Sequence, residues 1–328
     1  MKQPRPATSL HALIQPRLPE TSLIICSRNR QKMLAEAVDS ILQGDDVPTE
    51  LIIIDQSDTA YPALASLTSE RTCEIHYVWS QSVGLSRANN YGIATAQYDL
   101  LVFTHDDVVV TPTWFGSLIR SLVKVGPRAV ITGRVLPTTE PIPGSFAPST
   151  KADDVSATYE GRIGVDVLFP MSMALYRSAF NEIGYFDERL GPGTPFPAAE
   201  DNDLGFRLLE AGYRIIYVPE AILYHRAWRT EKDYIPLRWN YGRGQGGYYG
   251  KHLSLRDRYM LHRLVSDIRQ YTLRFFLSLW RQRRLAHGDV IFLLGILVGA
   301  GKWFLTQRRH THPSMCASRR SEPLRTRR

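Results

Sequence analysis

Four short apolar runs between residues 22 and 107 constrain the fold more than any other feature of the chain. Ser22 to Cys26 ends at Ser27-Arg28-Asn29-Arg30, Leu51 to Ile54 at Asp55-Gln56-Ser57-Asp58, and Asp99 to Phe103 leads into His105-Asp106-Asp107. The remaining run, Glu74 to Val78, precedes Val83-Gly84-Leu85. Between them lie stretches of helical period: Gln31 to Gln43, with Leu34, Val38, Ile41 and Leu42 on one face, and a segment reaching Ala96. Short apolar strands alternating with helical crossovers imply a parallel sheet and an α/β fold. In an open sheet of this kind the ligand lies beyond the carboxyl ends of the strands, where the polar clusters stand.

Downstream, residues 137–160 are rich in Pro, Ser, Thr and Gly and read as a long loop, and Val165 to Tyr176 as a strand. A short helix from Ser178 leads to Gly184 and Asp187. The turn-rich segment Gly191 to Pro197 reads as a flexible loop able to close over a substrate. It delivers Glu200-Asp201-Asn202-Asp203 to the start of a helix with apolar Leu204, Leu208 and Leu209, which should stop at Gly212. Two strands, Arg214 to Val218 and Ala221 to Tyr224, then end at His225.

Charge is distributed unevenly. Residues 251–328 carry 17 Lys and Arg against 4 Asp and Glu, hence +13, whereas residues 1–250 carry 23 against 28, hence −5. A slightly acidic body with a strongly basic end points to an anionic surface as partner of that end. From residue 255, apolar Leu261, Leu264, Val265, Ile268, Tyr271, Phe275 and Phe276 recur at helical spacing among arginines, a basic amphipathic pattern. Val290 to Leu305 follows, shorter than the roughly 20 apolar residues a spanning helix needs, so it reads as lying in or dipping into one leaflet. Aromatic and apolar residues between the arginines suit a bilayer interface better than nucleic acid. Cys26, Cys73 and Cys316 have neither metal-ligand spacing nor an even count, so a reducing compartment is expected. Pro4, Pro6, Pro16 and Pro19 interrupt any signal-like run, so export is not expected.

Two acidic groups carry candidate chemistry. Adjacent carboxylates Asp106 and Asp107 repel each other unless a cation compensates, and a hard divalent ion held with substrate phosphates would do so. Asp is equally at home in a solvated turn, so the pair alone leaves both readings open. Glu200, Asp201 and Asp203 are also what a helix start favours through its dipole. Gly242 to Gly247 matches the dinucleotide glycine pattern but does not follow a buried strand, and it is rejected on that ground.

Taken in order, these motifs resemble family 2 glycosyltransferases of GT-A fold, of the bacterial polysaccharide type that includes rhamnosyltransferases. The resemblance spans residues 21–230 and carries expectations for individual positions. It implies donor contacts from Ser27, Arg28, Asp55, Arg87, Asn89 and Asp106, and a divalent cation, Mg²⁺ or Mn²⁺, at Asp107 and His225. It implies a catalytic base at Asp201, with Glu200 beside it. Three positions depart from the pattern: His105 opens the usual Asp triplet, Asn89 stands where Arg is common, and Cys26 replaces a common Pro.

The implied reaction is inverting transfer from a nucleotide-sugar donor to a hydroxyl acceptor, a glycan or lipid-linked glycan of cell-surface polysaccharide synthesis. The implied place is the cytoplasm, peripheral on the inner face of the cell membrane. Two rivals are a polyprenyl-phosphate glycosyltransferase and, from another class, a non-catalytic membrane or nucleic-acid binding protein. The expected organisation is an arm over 1–20, a GT-A catalytic domain over 21–250, basic amphipathic and apolar membrane-associated helices over 251–306, and a basic disordered tail over 307–328.

Overall fold

The computed structural model describes residues 17–65, 73–138, 145–226, 228–280 and 282–307. Most of the expected arm and all but the first residue of the expected tail therefore lie outside the described residues, as does Cys316. The chain divides into two compact units, Met1–Pro236 and Leu237–Arg328.

The first unit opens with strand β1 (Thr21–Ser27), helix α1 (Gln31–Leu42), β2 (Glu50–Asp55), a short α2 (Pro62–Ala65), β3 (Glu74–Trp79), α3 (Leu85–Thr95) and β4 (Leu100–His105). Strand β1 pairs in parallel with β2 and β4, and β2 with β3, so the four apolar runs form one parallel sheet. Their continuous apolar character has a direct cause: Leu23, Ile24, Ile25 and Leu51 to Ile54 are all fully buried, because both faces of the sheet are covered. On one face Leu23, Ile25, Leu51 and Ile53 meet α1. On the other, Ile24, Ile52, Ile54 and Phe103 meet Ala88 and Ile93 of α3. Gly92 permits that second approach, since a Cβ there would stand 2.5 Å from Cγ2 of Ile24.

Residues 108–136, unassigned from the sequence, and Pro137, expected to open a loop, form β5 (Val108–Val110), α4 (Trp114–Val125) and β6 (Ala129–Pro137). Trp114, Leu118, Ile119 and Leu122 of α4 join the α1 face of the core. The expected long loop contains a further strand, β7 (Ala157–Tyr159), and residues 139–144 of it are not among the described ones. The expected strand Val165 to Tyr176 shrinks to β8 (Met173–Tyr176), because Pro170 opens a 3₁₀ turn that occupies Pro170–Ser172. Helices α5 (Ser178–Ile183) and α6 (Glu200–Glu210) follow, and Gly212, at φ +79°, closes α6 as its position predicts.

The two strands expected after α6 are one, β9 (Arg214–His225). The register against β6 jumps between Gly133 and Arg134, so that Val218 faces Gly133 and Ile222 faces Arg134. Pro219 falls in this bulge, which tolerates a residue without an N–H. The full order is β3-β2-β1-β4-β8-β6-β9-β5, with β8 antiparallel to both neighbours and β7 paired to β9.

The second unit holds the greater part of α7 (Glu231–Ser254), α8 (Arg258–Ser278) and α9 (Arg283–Gln307). Gly242 to Gly247 lies inside α7, where Gly242 abuts Phe292 and Gly295, Gly246 abuts Ile296 and Ala300, and Gly250 abuts Trp303. The contacts rise together along both helices, so α7 and α9 run in the same direction. Glycines four apart let the two backbones approach closely, which is what the glycine pattern serves here. The apolar stretch read from the sequence as too short belongs to a longer helix. Over Arg283–Thr306, α9 is long and apolar enough to cross a membrane, with 39% of its apolar 18-residue stretch buried. The buried Asp289 it contains is paired with Arg238 and Arg274. Among the apolar positions of α8, Leu261, Val265, Leu273, Phe276 and Leu277 are exposed.

Candidate active site

The carboxyl ends of β1 and β4 meet through side chains as well as through the ladder. Ser27 Oγ donates to Asp106 Oδ2 at 2.7 Å, and Arg30 Nη1 donates to Asp106 Oδ1 at 3.1 Å and to Asp107 Oδ2 at 2.9 Å. Strand β9 brings in a third element: His225 lies opposite Val108, its Nε2 is 3.4 Å from Asp107 Oδ1, and the Arg226 N–H donates to the Asp107 carbonyl at 2.8 Å. Ser27, Asp106, Asp107 and His225 are all buried.

The two aspartates are driven apart electrostatically. Burial pushes Asp107 up, but His225, His105 and Arg30 outweigh it and hold its carboxyl well below the usual range. Burial also raises Asp106, and there the opposing bonds from Ser27 and Arg30 do not cancel it. His105, in the departing first position of the triplet, is lowered to about 4 by burial and is a neutral imidazole at pH 7.

The donor-side residues separate into two groups. Asp55 is fully buried, with one oxygen accepting from the Ser57 N–H and hydroxyl at 2.9 and 2.5 Å and the other from Tyr77 Oη at 2.7 Å. Asn89 accepts from Cys26 Sγ at 3.2 Å, so the residue that replaces the common Pro is bonded to the one that replaces the common Arg. Arg87 is on the surface in an ion pair with Glu188 at 3.0 Å, and Arg28 faces Asp58 at 3.6 Å. Of the arginines in the first cluster, it is thus Arg30 that reaches the acidic pair. The sequence reading puts Arg30 in the polar cluster after β1 but names only Arg28 as a donor contact; the decisive feature is Asn29, whose left-handed φ of 55° turns the chain between them.

A second acidic group sits at the start of α6. Burial raises the Glu200 carboxyl, with the Asp201 charge adding to it, and burial and the charge of Asp166 raise Asp201. Asp166, on the segment before β8, is a residue the sequence reading missed. Asp203 is structural: fully buried, it accepts from Arg207 Nε at 2.9 Å, and that guanidinium holds the carbonyls of Ile183, Gly184 and Tyr185. The Gly191 to Pro197 loop is held in place and is not the free lid expected. The single Thr194 hydroxyl lies within 2.9 Å of the carbonyls of Arg189, Gly191 and Phe196, any one of which can accept its proton, Phe196 is buried, and the Leu85 N–H donates to the Pro192 carbonyl at 3.0 Å. Gly191, at φ +101°, leaves room for the Glu200 carboxylate, which a Cβ there would meet at 3.1 Å. Gln56 ties the end of β1 to the start of α3: its side chain accepts from the Gly84 N–H and its own N–H donates to the Ser27 carbonyl at 2.8 Å.

Whether this site suits a divalent cation is decided by its donor atoms. Asp107 Oδ1 and His225 Nδ1 are buried without hydrogen-bond partners, so one carboxylate oxygen is uncommitted next to an imidazole. No group of three or more His, Cys, Asp or Glu side chains with ligand geometry occurs among the described residues. A carboxylate and an imidazole, with remaining positions filled by phosphate and water, suit a hard cation that arrives with its substrate.

Residues 22–184 match the family model described as Glycosyl transferase family 2. The chain belongs to this family through that segment. The family 2 chain is 26% identical over 217 residues to the O-antigen chain rhamnosyltransferase RfbN of Salmonella typhimurium, covering 62% of this chain and 65% of that one. It is 48% identical over 58 residues to the N-acetylglucosaminyl-diphospho-decaprenol L-rhamnosyltransferase of Mycobacterium tuberculosis, 17% of each chain. It thus spans less than two thirds of the length of the curated relatives it matches. Among solved structures, the mannosyltransferase PcManGT from Pyrobaculum calidifontis, in complex with GDP-Man and Mn²⁺, aligns at a TM-score of 0.58 and 14% identity, over 87% of this chain and 88% of that one. TarS 1-349 of S. aureus in complex with UDP-GlcNAc aligns at 0.52 and 13% identity, over 88% of this chain and 92% of that one. These likenesses establish the GT-A type of fold for the family 2 chain.

Proposed function

We propose that the chain is an inverting glycosyltransferase that moves a sugar from a nucleotide-diphosphate donor to a hydroxyl of a glycan or lipid-linked glycan in cell-surface polysaccharide synthesis. The observation that carries this reading is the separation of two anionic centres on different elements. Asp106 and Asp107 at the end of β4 are tied to Ser27, Arg30 and His225, whereas Glu200 and Asp201 open α6 with raised carboxyls. The first suits a diphosphate with its cation, the second a proton transfer. The rhamnosyltransferase relatives, one named for a decaprenol-linked substrate, support the sugar and the lipid-linked acceptor.

In this reading Ser27 and Asp55 shape the nucleoside side of the cleft, with Arg28, Arg87, Asn89 and Asp106 serving the donor. Asp107 and His225 hold Mg²⁺ or Mn²⁺, and a cation bound there supplies charge stabilisation to the departing diphosphate. Asp201 accepts the acceptor hydroxyl proton as the oxygen attacks the anomeric carbon; general-base catalysis of this kind contributes roughly 10²–10⁴-fold. A raised carboxyl is the better base near neutral pH once it is ionised, and burial together with the charge of Asp166 keeps Asp201 raised. The basic C-terminal region, with its exposed apolar residues on α8 and the long apolar α9, meets an anionic membrane on its cytoplasmic face, where a lipid-linked acceptor would be found.

The test is a panel of nucleotide sugars incubated with the full chain and a lipid-linked glycan acceptor, with and without chelator. Release of nucleoside diphosphate that depends on both acceptor and cation supports the proposal. Release unaffected by the chelator, or transfer to simple polyprenyl phosphate in preference to a hydroxyl acceptor, overturns the cation or acceptor part.

A further inference from the structure

Asp107 divides its two oxygens between different neighbours. Oδ2 accepts from Arg30 Nη1 at 2.9 Å, while Oδ1 faces His225 and has no hydrogen-bond partner. The same Arg30 nitrogen also reaches Asp106, so one guanidinium bridges a pair of buried, adjacent carboxylates. Its placement is fixed from behind. Asn29, in the left-handed conformation, donates its N–H to Ser57 Oγ at 2.8 Å and exchanges side-chain bonds with Asp58 at 3.0 Å, which aims Arg30 at β4 and Arg28 away from it. The Arg30 side chain is 44% exposed, against 8% and 10% for the carboxylates, so the cation approaches them from the open side of the cleft.

From this arrangement we infer that Arg30 is the built-in counter-cation of the acidic pair and sets its affinity for the divalent ion, holding that affinity low until an anionic donor joins the site. The inference rests on the reading of Asp107 as the cation ligand. A divalent ion bound at Oδ1 would share the Asp107 carboxylate with a guanidinium on Oδ2, and the repulsion between them would oppose its binding. A donor diphosphate brings negative charge to both cations and relieves that repulsion, which couples ion binding to donor binding.

The experiment is titration of Mn²⁺ alone into the full-length, donor-free protein, read by calorimetry or by the electron paramagnetic resonance of the free ion. For Arg30→Gln the expected result is Mn²⁺ affinity raised by at least about tenfold, the size of effect a unit charge exerts on a divalent ion at that distance when water and salt screen it fully. Arg30→Lys, which keeps the charge, is expected to stay within about twofold of wild type by the same electrostatic argument. Unchanged or weaker binding in Arg30→Gln overturns the inference, as does equal tightening in Arg30→Lys. Asp107→Asn separates the two levels of the reading. Loss of binding in Asp107→Asn with no change in Arg30→Gln removes Arg30 alone, whereas Mn²⁺ binding indifferent to Asp107→Asn removes the cation site and the inference with it.

Discussion

Ser27 Oγ donates to Oδ2 of Asp106 at 2.7 Å, joining the last residue of β1 to the loop that follows β4. Asp106 is buried, its carboxyl is raised by that burial, and Ser27 is one of only two side chains that oppose the shift by bonding to it. Ser27→Ala removes a bond to a charged acceptor and leaves that oxygen unsatisfied, at a cost of about 1–3 kcal/mol. The expected outcome is a lower urea midpoint with an unchanged slope. A midpoint equal to wild type would show that Asp106 is carried as a neutral acid and does not need the hydroxyl.

Asp201 and Asp203 stand two positions apart at the start of α6 and do different work, which makes their substitutions diagnostic. Asp203→Asn weakens the bond to Arg207 that organises the turn after α5, so its effect falls on folding. Asp201→Asn leaves the carboxyl-end cluster of β1 and β4 intact. Its expected effect is normal donor affinity by equilibrium binding with transfer reduced by roughly 10²–10⁴-fold. Near-wild-type turnover in Asp201→Asn removes it from the role of base.

The acidic residues of α6 also dictate opposite trends of stability and activity with pH. A carboxyl raised in the folded state holds a proton that the unfolded chain has released, so stability falls as pH rises from the ordinary carboxylate range, about pH 4, through the raised value. Burial and the neighbouring carboxylates cause this for Glu200 and Asp201. Asp107, held low, works the other way: its contribution is present above the ordinary carboxylate range and is lost as pH falls through its low folded value. Activity should rise over the window in which α6 loses stability, because ionised Asp201 is the competent form. Chemical denaturation at several pH values from about 4 to 8 checks this, with Glu200→Gln expected to flatten the decline. A decline of equal slope in Glu200→Gln contradicts the assignment.

The carboxyl-end clusters were legible because a buried parallel strand is apolar throughout and stops abruptly where the ligand side begins. That is why Ser27, Asp55 and the Asp106-Asp107 pair stand out from Ile24, Ile53 and Val102 in the sequence itself. Arg28 was named as a donor contact in place of Arg30, because the choice between them depends on a left-handed turn at Asn29, and Asn there is permitted by propensity and not required by it. Pro219 broke the pattern of β9 in sequence, yet the strand continues past it, because a bulge opposite Gly133 absorbs the residue that cannot donate. Asp166 was invisible for a different reason: its effect on Asp201 arises only when the segment before β8 lies beside α6, where Gly205 lets Leu168 approach. The glycines of α7 read as a nucleotide motif in one dimension, and their spacing of four acquires its meaning only against Gly295 and Gly299 of α9.

That last contact yields a paired prediction within the helical unit. A Cβ on Gly246 would stand 2.2 Å from the Ile296 carbonyl oxygen and 2.8 Å from the Ala300 nitrogen, both backbone atoms that cannot swing aside. A Cβ on Gly301, in the same α9, would meet nothing within 4 Å. Gly246→Ala therefore forces α7 and α9 apart and should destabilise the unit by about 1–3 kcal/mol, the usual cost of overpacking. Gly301→Ala removes backbone freedom from the unfolded chain at no steric cost and should stabilise α9 by about 0.5–1 kcal/mol. Unfolding followed by far-ultraviolet circular dichroism in full-length protein compares the two directly. If both substitutions shift the midpoint in the same direction, the close approach of the two backbones does not set the stability of this unit.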